Sequence, residues 1–275
     1  MIICLNGKFV DESEAKISVF DHGLLYGDGV FDTILGVNGR IFWLEEHIDR
    51  LLEGCQRIRL RVPWQRAELI AFATETFQRN GGDSGRIRIT ITRGEGGIPI
   101  HDAPNCKPNL IIFSSQLELY PQSLYERGMK LAVTQHQRVY PGVKNLSFLP
   151  SVLGYLESLE SDAHEALFVD RDNNVLEGST FNVFVVKAGR IKTPPDQVLV
   201  GVTRNKVIEL ARRLGLEVEE AKIPLKDALS ADEIFATGTT KKILPVSRID
   251  ESLINQGIIG EITRNLMAAF SKYYF

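Results

Sequence analysis

Cysteine is scarce in this chain: Cys4, Cys55 and Cys106 are the only three in 275 residues. They lie far apart and form no CxxC pair, so neither a disulfide framework nor a cysteine metal site is expected. The five histidines, His22, His47, His101, His136 and His164, stand at no metal-ligand spacing, and no metal is expected. Long apolar runs are missing. Residues 1–8 are too short a run for a signal peptide, and nothing approaches the length of a membrane span. An excess of positive charge is missing as well. The formal charge of −3 argues against nucleic acid as a partner. There is no G-x-S-x-G and no P-loop. Tyr26-Gly27-Asp28-Gly29-Val30-Phe31 is glycine-rich but lacks the strand-then-helix context of a dinucleotide fingerprint. What remains is the composition of an ordinary globular enzyme, 44% hydrophobic and 24% charged. A soluble, cytoplasmic protein of one large or two modest domains is expected.

Two Asn-Gly pairs, at residues 6–7 and 38–39, sit between short apolar runs and predict tight hairpins. Leu44, Ile48, Leu51, Leu52, Cys55 and Ile58 recur at helical spacing. A second helix is predicted over 65–80, closed by Gly81-Gly82. Residues 86–92 alternate strictly, a strand with isoleucines on one face and Arg86, Arg88, Thr90 and Thr92 on the other. A short buried strand is predicted over 110–113. Residues 114–127 carry Pro121 and no strand pattern. A small N-terminal domain is therefore expected over 1–117, a linker over 118–126 and a larger domain over 127–275. In the second half, strands are predicted over 130–135, 166–169, 181–186, 190–192, 217–221, 233–236 and 243–246. Helices are predicted over 148–162, 203–214 and 258–272. Strands and helices mix without a regular βαβ alternation, which favours α+β over a doubly wound sheet.

Four short stretches carry chemistry. Lys144 lies in Gly142-Val143-Lys144-Asn145-Leu146-Ser147. Most lysines are solvated surface charges, but apolar flanks would partly bury this one and favour its free amine, a nucleophile and proton carrier. Glu177 opens onto Gly178-Ser179-Thr180 and a buried run. It reads either as a turn residue in an acidic loop or as a carboxylate for a ring nitrogen. Gly201-Val202-Thr203 and Gly238-Thr239-Thr240 read either as ordinary caps or as phosphate loops. Arg50 is either a helix-surface partner of Glu46 or a guanidinium for phosphate. Taken together, an amine for an aldehyde, a carboxylate for a pyridine and loops for a phosphate point to pyridoxal phosphate.

The chain resembles the class IV pyridoxal-phosphate enzymes over nearly its whole length. That family holds branched-chain aminotransferases, D-amino acid aminotransferases, R-selective amine transaminases and aminodeoxychorismate lyases. The likeness is carried by residues 21–31, by His47-Ile48-Asp49-Arg50-Leu51, by Lys144, by residues 177–184, by Gly201-Val202-Thr203-Arg204 and by Gly238-Thr239-Thr240. It implies the two-domain fold type IV, with a smaller N-terminal α/β domain and a larger C-terminal domain built on a barrel-like sheet. It also implies a homodimer. Lys144 would be the Schiff-base lysine and general acid/base. Arg50, Glu177, Ser179, Thr180, Val202, Thr203 and Thr239 would bind the cofactor, with Glu177 on the pyridine nitrogen. Tyr26, Phe31, Arg86, Arg88 and Thr240 would face the substrate. The implied reaction moves an amino group between a small amino acid or amine and a 2-oxo acid. The alternative is a lyase releasing pyruvate from aminodeoxychorismate.

The subclass stays open on departures from each pattern. D-amino acid aminotransferases place an arginine and a histidine after the Thr-Arg-Gly strand end. Here residues 95–101 hold His101, displaced by one position, and no arginine. Branched-chain enzymes read Phe-Glu-Gly-Ile-Arg where this chain has Phe31-Asp32-Thr33-Ile34-Leu35. Lyases carry an arginine four residues after the lysine, where Phe148 stands.

Overall fold

The computed structural model describes residues 1–274. They form two compact units, one of residues 1–118 with 143–147, the other of 119–142 with 148 onward. The stretch around Lys144, counted with the C-terminal domain in the sequence reading, thus groups with the first unit. Most of the expected linker is a short helix, α4 below.

The first unit is a six-stranded antiparallel sheet with two helices on one face. It contains β1 (Ile2–Leu5), β2 (Lys8–Asp11), α1 (His22–Tyr26), β3 (Gly29–Val37), β4 (Arg40–Ile41), α2 (Leu44–Arg57), α3 (Arg66–Arg79), β5 (Gly85–Glu95) and β6 (Lys107–Ser115). The strand order is β2-β1-β6-β5-β3-β4. Both Asn-Gly pairs make the hairpins expected of them, with φ of +53° and +81° at Asn6 and Gly7 and of +52° and +75° at Asn38 and Gly39. β4 stops at Ile41, because Trp43 turns to φ +53° and opens α2. Ile48, Leu51 and Cys55 of α2 and Leu69, Ala73 and Phe77 of α3 pack on Ile34, Ile87, Ile89, Ile91 and Ile112. The alternation of faces expected for 86–92 is present, although Thr90 and Thr92 are buried too. The three β5 isoleucines are fully buried, and Arg86, Arg88, Thr90 and Thr92 take the opposite face. Residues 143–147 run antiparallel to the start of β3. The Phe31 N–H donates to the Lys144 carbonyl at 2.9 Å, and the Leu146 N–H to that of Gly29 at 3.0 Å.

The second unit is built on a closed barrel. Its elements are α4 (Gln122–Arg127), β7 (Met129–Thr134), α5 (Leu149–Glu160), β8 (Glu165–Val169), β9 (Asn174–Gly178), β10 (Asn182–Lys187), β11 (Arg190–Thr193), α6 (Val202–Arg213), β12 (Val218–Glu220), β13 (Ile223–Pro224), α7 (Leu225–Leu229), β14 (Glu233–Gly238), β15 (Lys242–Ile249), β16 (Ser252–Leu253) and α8 (Glu261–Tyr274). The order β10-β14-β15-β7-β8-β9 closes on itself where Glu177 of β9 pairs with Asn182 of β10. Met129, Leu131, Leu167, Val183, Val185, Ala236, Leu244 and Val246 are buried in this unit's core. The mixed architecture is the α+β, barrel-containing fold expected. Three strands of this unit were not expected: the two-residue β13 and β16, and β9. Glu177 lies on β9, where no strand was expected. β9 is five residues long, and its last four are buried on both faces, so no alternation marks it. No helix among the described residues is long and apolar enough to cross a membrane.

Candidate active site

On the first unit, two of the candidate residues, Lys144 and Arg88, meet at the ring of a third, Phe31. The Lys144 ammonium lies 4.7 Å from the centre of the Phe31 ring, and the Arg88 guanidinium carbon lies 3.8 Å from it. Register places Arg88 there, because β5 pairs Thr90 with Phe31 and Arg88 points to the same sheet face. Burial lowers the Arg88 pKa, with the Arg86 charge adding to the effect. A guanidinium loosened from water in this way is ready for an anionic partner. Arg86 sits further along the strand and is exposed. Tyr26 ends α1, partly exposed, and its hydroxyl donates to the Ile98 carbonyl.

Behind Phe31 sits a buried acid that the sequence reading did not single out. Asp32 accepts two hydrogen bonds from Arg50, Nε to Oδ2 at 2.9 Å and Nη2 to Oδ1 at 2.7 Å. His47 Nδ1 lies 2.8 Å from the same Oδ1, one helical turn before Arg50 on α2. Burial alone would raise the Asp32 pKa, but Arg50 and His47 outweigh it and hold the carboxyl far below its usual range. Burial lowers the pKa of His47, against the pull of Asp32 and with help from Arg50 and Lys144. Because a carboxylate only accepts, the 2.8 Å contact calls for a hydrogen on His47 Nδ1 pointing at Asp32. Arg50 was expected at a phosphate. The structure commits two of its five N–H groups to Asp32.

On the second unit, Glu177 is only 4% exposed and held from several sides. Arg138 Nη1 donates to Oε1 at 3.3 Å, while Asn182 Nδ2 at 3.3 Å and the Leu199 N–H at 3.1 Å donate to Oε2. Asn182 also donates to the Leu199 carbonyl at 2.7 Å, which locks its amide. Sequence reasoning missed Arg138, which sits six residues before Lys144 with no local pattern around it. Asn182 stood inside the recognised 177–184 block and could have been read.

Gly201 precedes α6, a twelve-residue helix with no side-chain cap. The first-turn N–H groups of such a helix have no intrahelical acceptor. A Cβ at Gly201 would collide with the Asn182 amide oxygen, so glycine is required by close approach there. Val202 and Thr203 begin the helix. Among the described residues, the buried Thr203 hydroxyl finds no hydrogen-bond partner, and neither does that of Thr237 on β14. Thr239 and Thr240 lie half-buried in the turn between β14 and β15. Ser179 and Thr180 turn their hydroxyls to Glu165 of β8. Glu165 in turn pairs with the buried Lys241 at 2.7 Å. Burial would lower the Lys241 pKa, yet the Glu165 charge overrides it and raises it. Neither Glu165 nor Lys241 had any signal in the sequence. No cluster of three or more metal-ligating side chains occurs among the described residues.

Residues 29–249 match the family model for amino-transferase class IV. A putative branched-chain-amino-acid aminotransferase of Methanocaldococcus jannaschii is 40% identical over 98% of this chain and 95% of its own. The D-alanine aminotransferase of Bacillus licheniformis is 31% identical over 99% of this chain and 96% of its own. Among solved structures, a branched-chain amino acid aminotransferase from Thermobaculum terrenum in its PLP-form superposes with a TM-score of 0.89. It is 26% identical, covering 98% of this chain and 92% of that one. The relatives are named as aminotransferases, and nothing among them favours the lyase.

Proposed function

This chain belongs to the class IV aminotransferases, and from that premise we propose which of its residues carry a pyridoxal-phosphate-dependent transfer of an amino group to a 2-oxo acid. Its residues fit the cofactor. The observation that carries the reading is the buried, unpartnered Thr203 hydroxyl at the uncapped start of α6. A buried hydroxyl without a partner costs about 1–3 kcal/mol, and a phosphate at a helix N-terminus would supply the missing partner. Val202 through its N–H, Thr203, Thr239 and Arg50 would hold that phosphate. Glu177, fixed by Arg138, Asn182 and Leu199, would keep a proton on the pyridine nitrogen. Ser179 and Thr180 would support the cofactor by shaping the turn that follows Glu177.

When bound, pyridoxal phosphate supplies an aldehyde to capture the amine and a ring that draws electrons from the substrate carbon. Lys144 would hold the cofactor through its Nζ, and as a free amine that Nζ would be the base that carries the proton leaving the substrate carbon. Arg88, which shares the Phe31 ring with Lys144, supports a donor bearing a carboxylate, with Thr240, Tyr26 and Arg86 as further contacts. The relatives' substrates, branched-chain amino acids and D-alanine, have that carboxylate.

The chain works as a homodimer in this reading. α5 turns small residues inward, with Ser151, Gly154 and Ser158 buried, and leaves Leu149, Val152, Leu156 and Leu159 exposed along its outer face. Such a stripe suits a second copy. The three free cysteines suit a reducing cytoplasm. The test is the absorption spectrum of the purified protein with L-leucine, L-glutamate, D-alanine or R-phenylethylamine. A visible cofactor band that bleaches with one donor and is missing in Lys144→Ala is expected. No band after incubation with pyridoxal phosphate would sink the reading.

A further inference from the structure

The turn between β14 and β15 is held by a buried charge. Lys241 is 2% exposed, and its ammonium donates to Tyr120 Oη and Thr180 Oγ1 at 2.7 Å each and pairs with Glu165 Oε1 at 2.7 Å. An ammonium has three N–H groups, and here each has its acceptor. Glu165 also accepts the Thr180 hydroxyl on Oε1 at 2.9 Å and the Ser179 hydroxyl on Oε2. The Lys241 backbone carbonyl accepts the Tyr125 hydroxyl at 3.1 Å. One side chain thus ties four places together: the 238–241 turn, β8, the turn after Glu177 and Tyr120 ahead of α4.

A buried ion pair is a poor stabiliser, because desolvating both charges offsets most of their attraction. What a fully satisfied one provides is a single geometry. The residue next to this lysine in the turn is Thr240, and Thr239 precedes it. Both are half-buried, and none of their side chains takes part in the network.

We propose that Lys241 is a positioning residue: its ammonium, clamped by Glu165, sets the 238–241 turn against the 179–180 turn so that Thr239 and Thr240 meet the anionic groups of cofactor and substrate. This rests on the function proposed above. It predicts that breaking the clamp weakens recognition of anions before it weakens the chemistry at Lys144.

The test compares Lys241→Met, Lys241→Arg and the double variant Glu165→Gln/Lys241→Met. The double variant strands no buried charge, so it stays informative where the single methionine variant fails to fold. Apoprotein is titrated with pyridoxal phosphate and, separately, with pyridoxal, which lacks the phosphate. The readouts are the visible band and the quenching of Trp43 and Trp64 fluorescence. In the double variant the dissociation constant for pyridoxal phosphate is expected to rise about tenfold or more, while that for pyridoxal changes little. KM for the 2-oxo acid rises more than kcat falls, and Lys241→Arg recovers part of the affinity. Unchanged affinity for pyridoxal phosphate in a folded double variant overturns the proposal. So does an equal loss for both ligands, which marks a general loosening of the unit. A wild-type protein that takes up neither ligand sinks the functional reading first, and the anion role of this turn with it.

Discussion

Replace Thr203 with valine. The two side chains have nearly the same shape, so the change removes one hydroxyl and adds one methyl at a site only 3% exposed. Among the described residues that hydroxyl has no partner. Removing it should recover part of the about 1–3 kcal/mol that an unsatisfied buried hydroxyl costs. For a chain of this size that is a rise of roughly 2–4 °C in melting temperature per kcal/mol. With the cofactor bound, the sign reverses. A hydrogen bond to a charged phosphate contributes about 1.5–3 kcal/mol, so its loss should weaken binding about 10- to 150-fold. The assay is a pair of melts, one of apoprotein and one at saturating pyridoxal phosphate, with a titration of the visible band. The variant should melt higher than wild type without cofactor and show a smaller shift with it. Pyridoxal, which lacks the phosphate, should bind both proteins alike. A variant that is less stable without cofactor and binds pyridoxal phosphate as tightly as wild type would refute the reasoning.

Two other outcomes follow from the geometry. Gly201→Ala places a methyl against the Asn182 amide that donates to Glu177. It should lower affinity for pyridoxal phosphate and pyridoxal together, because it disturbs the ring-nitrogen partner as well as the helix start. Titration of both ligands checks this, and a loss confined to the phosphorylated one would count against it. His47 has its pKa lowered by burial, so the unfolded chain binds a proton that the folded one refuses. Its contribution is therefore fully present above the unfolded value of about 6.5. It is lost as pH falls from there towards the lower folded value, at no more than about 1.4 kcal/mol per pH unit. Melts at three values between neutral and mildly acidic pH should show a shallower decline in His47→Gln than in wild type. Parallel declines in the two would show that His47 does not titrate on unfolding. The depressed Asp32 pKa adds its own loss of stability only below the ordinary carboxylate range, outside that window.

Much of the first unit was legible because its signals are local. The Asn-Gly turns, the stripe of α2 and the alternation of β5 each follow from a handful of consecutive residues. The second unit was read less well for the same reason. β9 is short and buried on two faces, so Glu177 stood outside any expected strand. α4 falls in a stretch whose proline suggested a linker, whereas Pro121 serves as the residue before a helix of six. The candidate lysine, carboxylate and hydroxyl turns were visible because they sit in blocks that the family shares. Their partners were not. Asp32 reaches Arg50 across 18 positions, Arg138 reaches Glu177 across 39, and Lys241 reaches Tyr120 across 121.

The sequence by itself determined the family, the cofactor class and the periodic elements, since each depends on residue type and short-range spacing. Tertiary structure alone decided how the charges are paired. It put Arg88 and Lys144 on one ring, tied Arg50 to a buried acid and left Thr203 without a partner. It also filled every donor of Lys241. Burial and approach set those outcomes. Strand register and barrel closure bring distant residues within hydrogen-bonding distance, and the cost of an unpaired buried group then selects which of them may stay there.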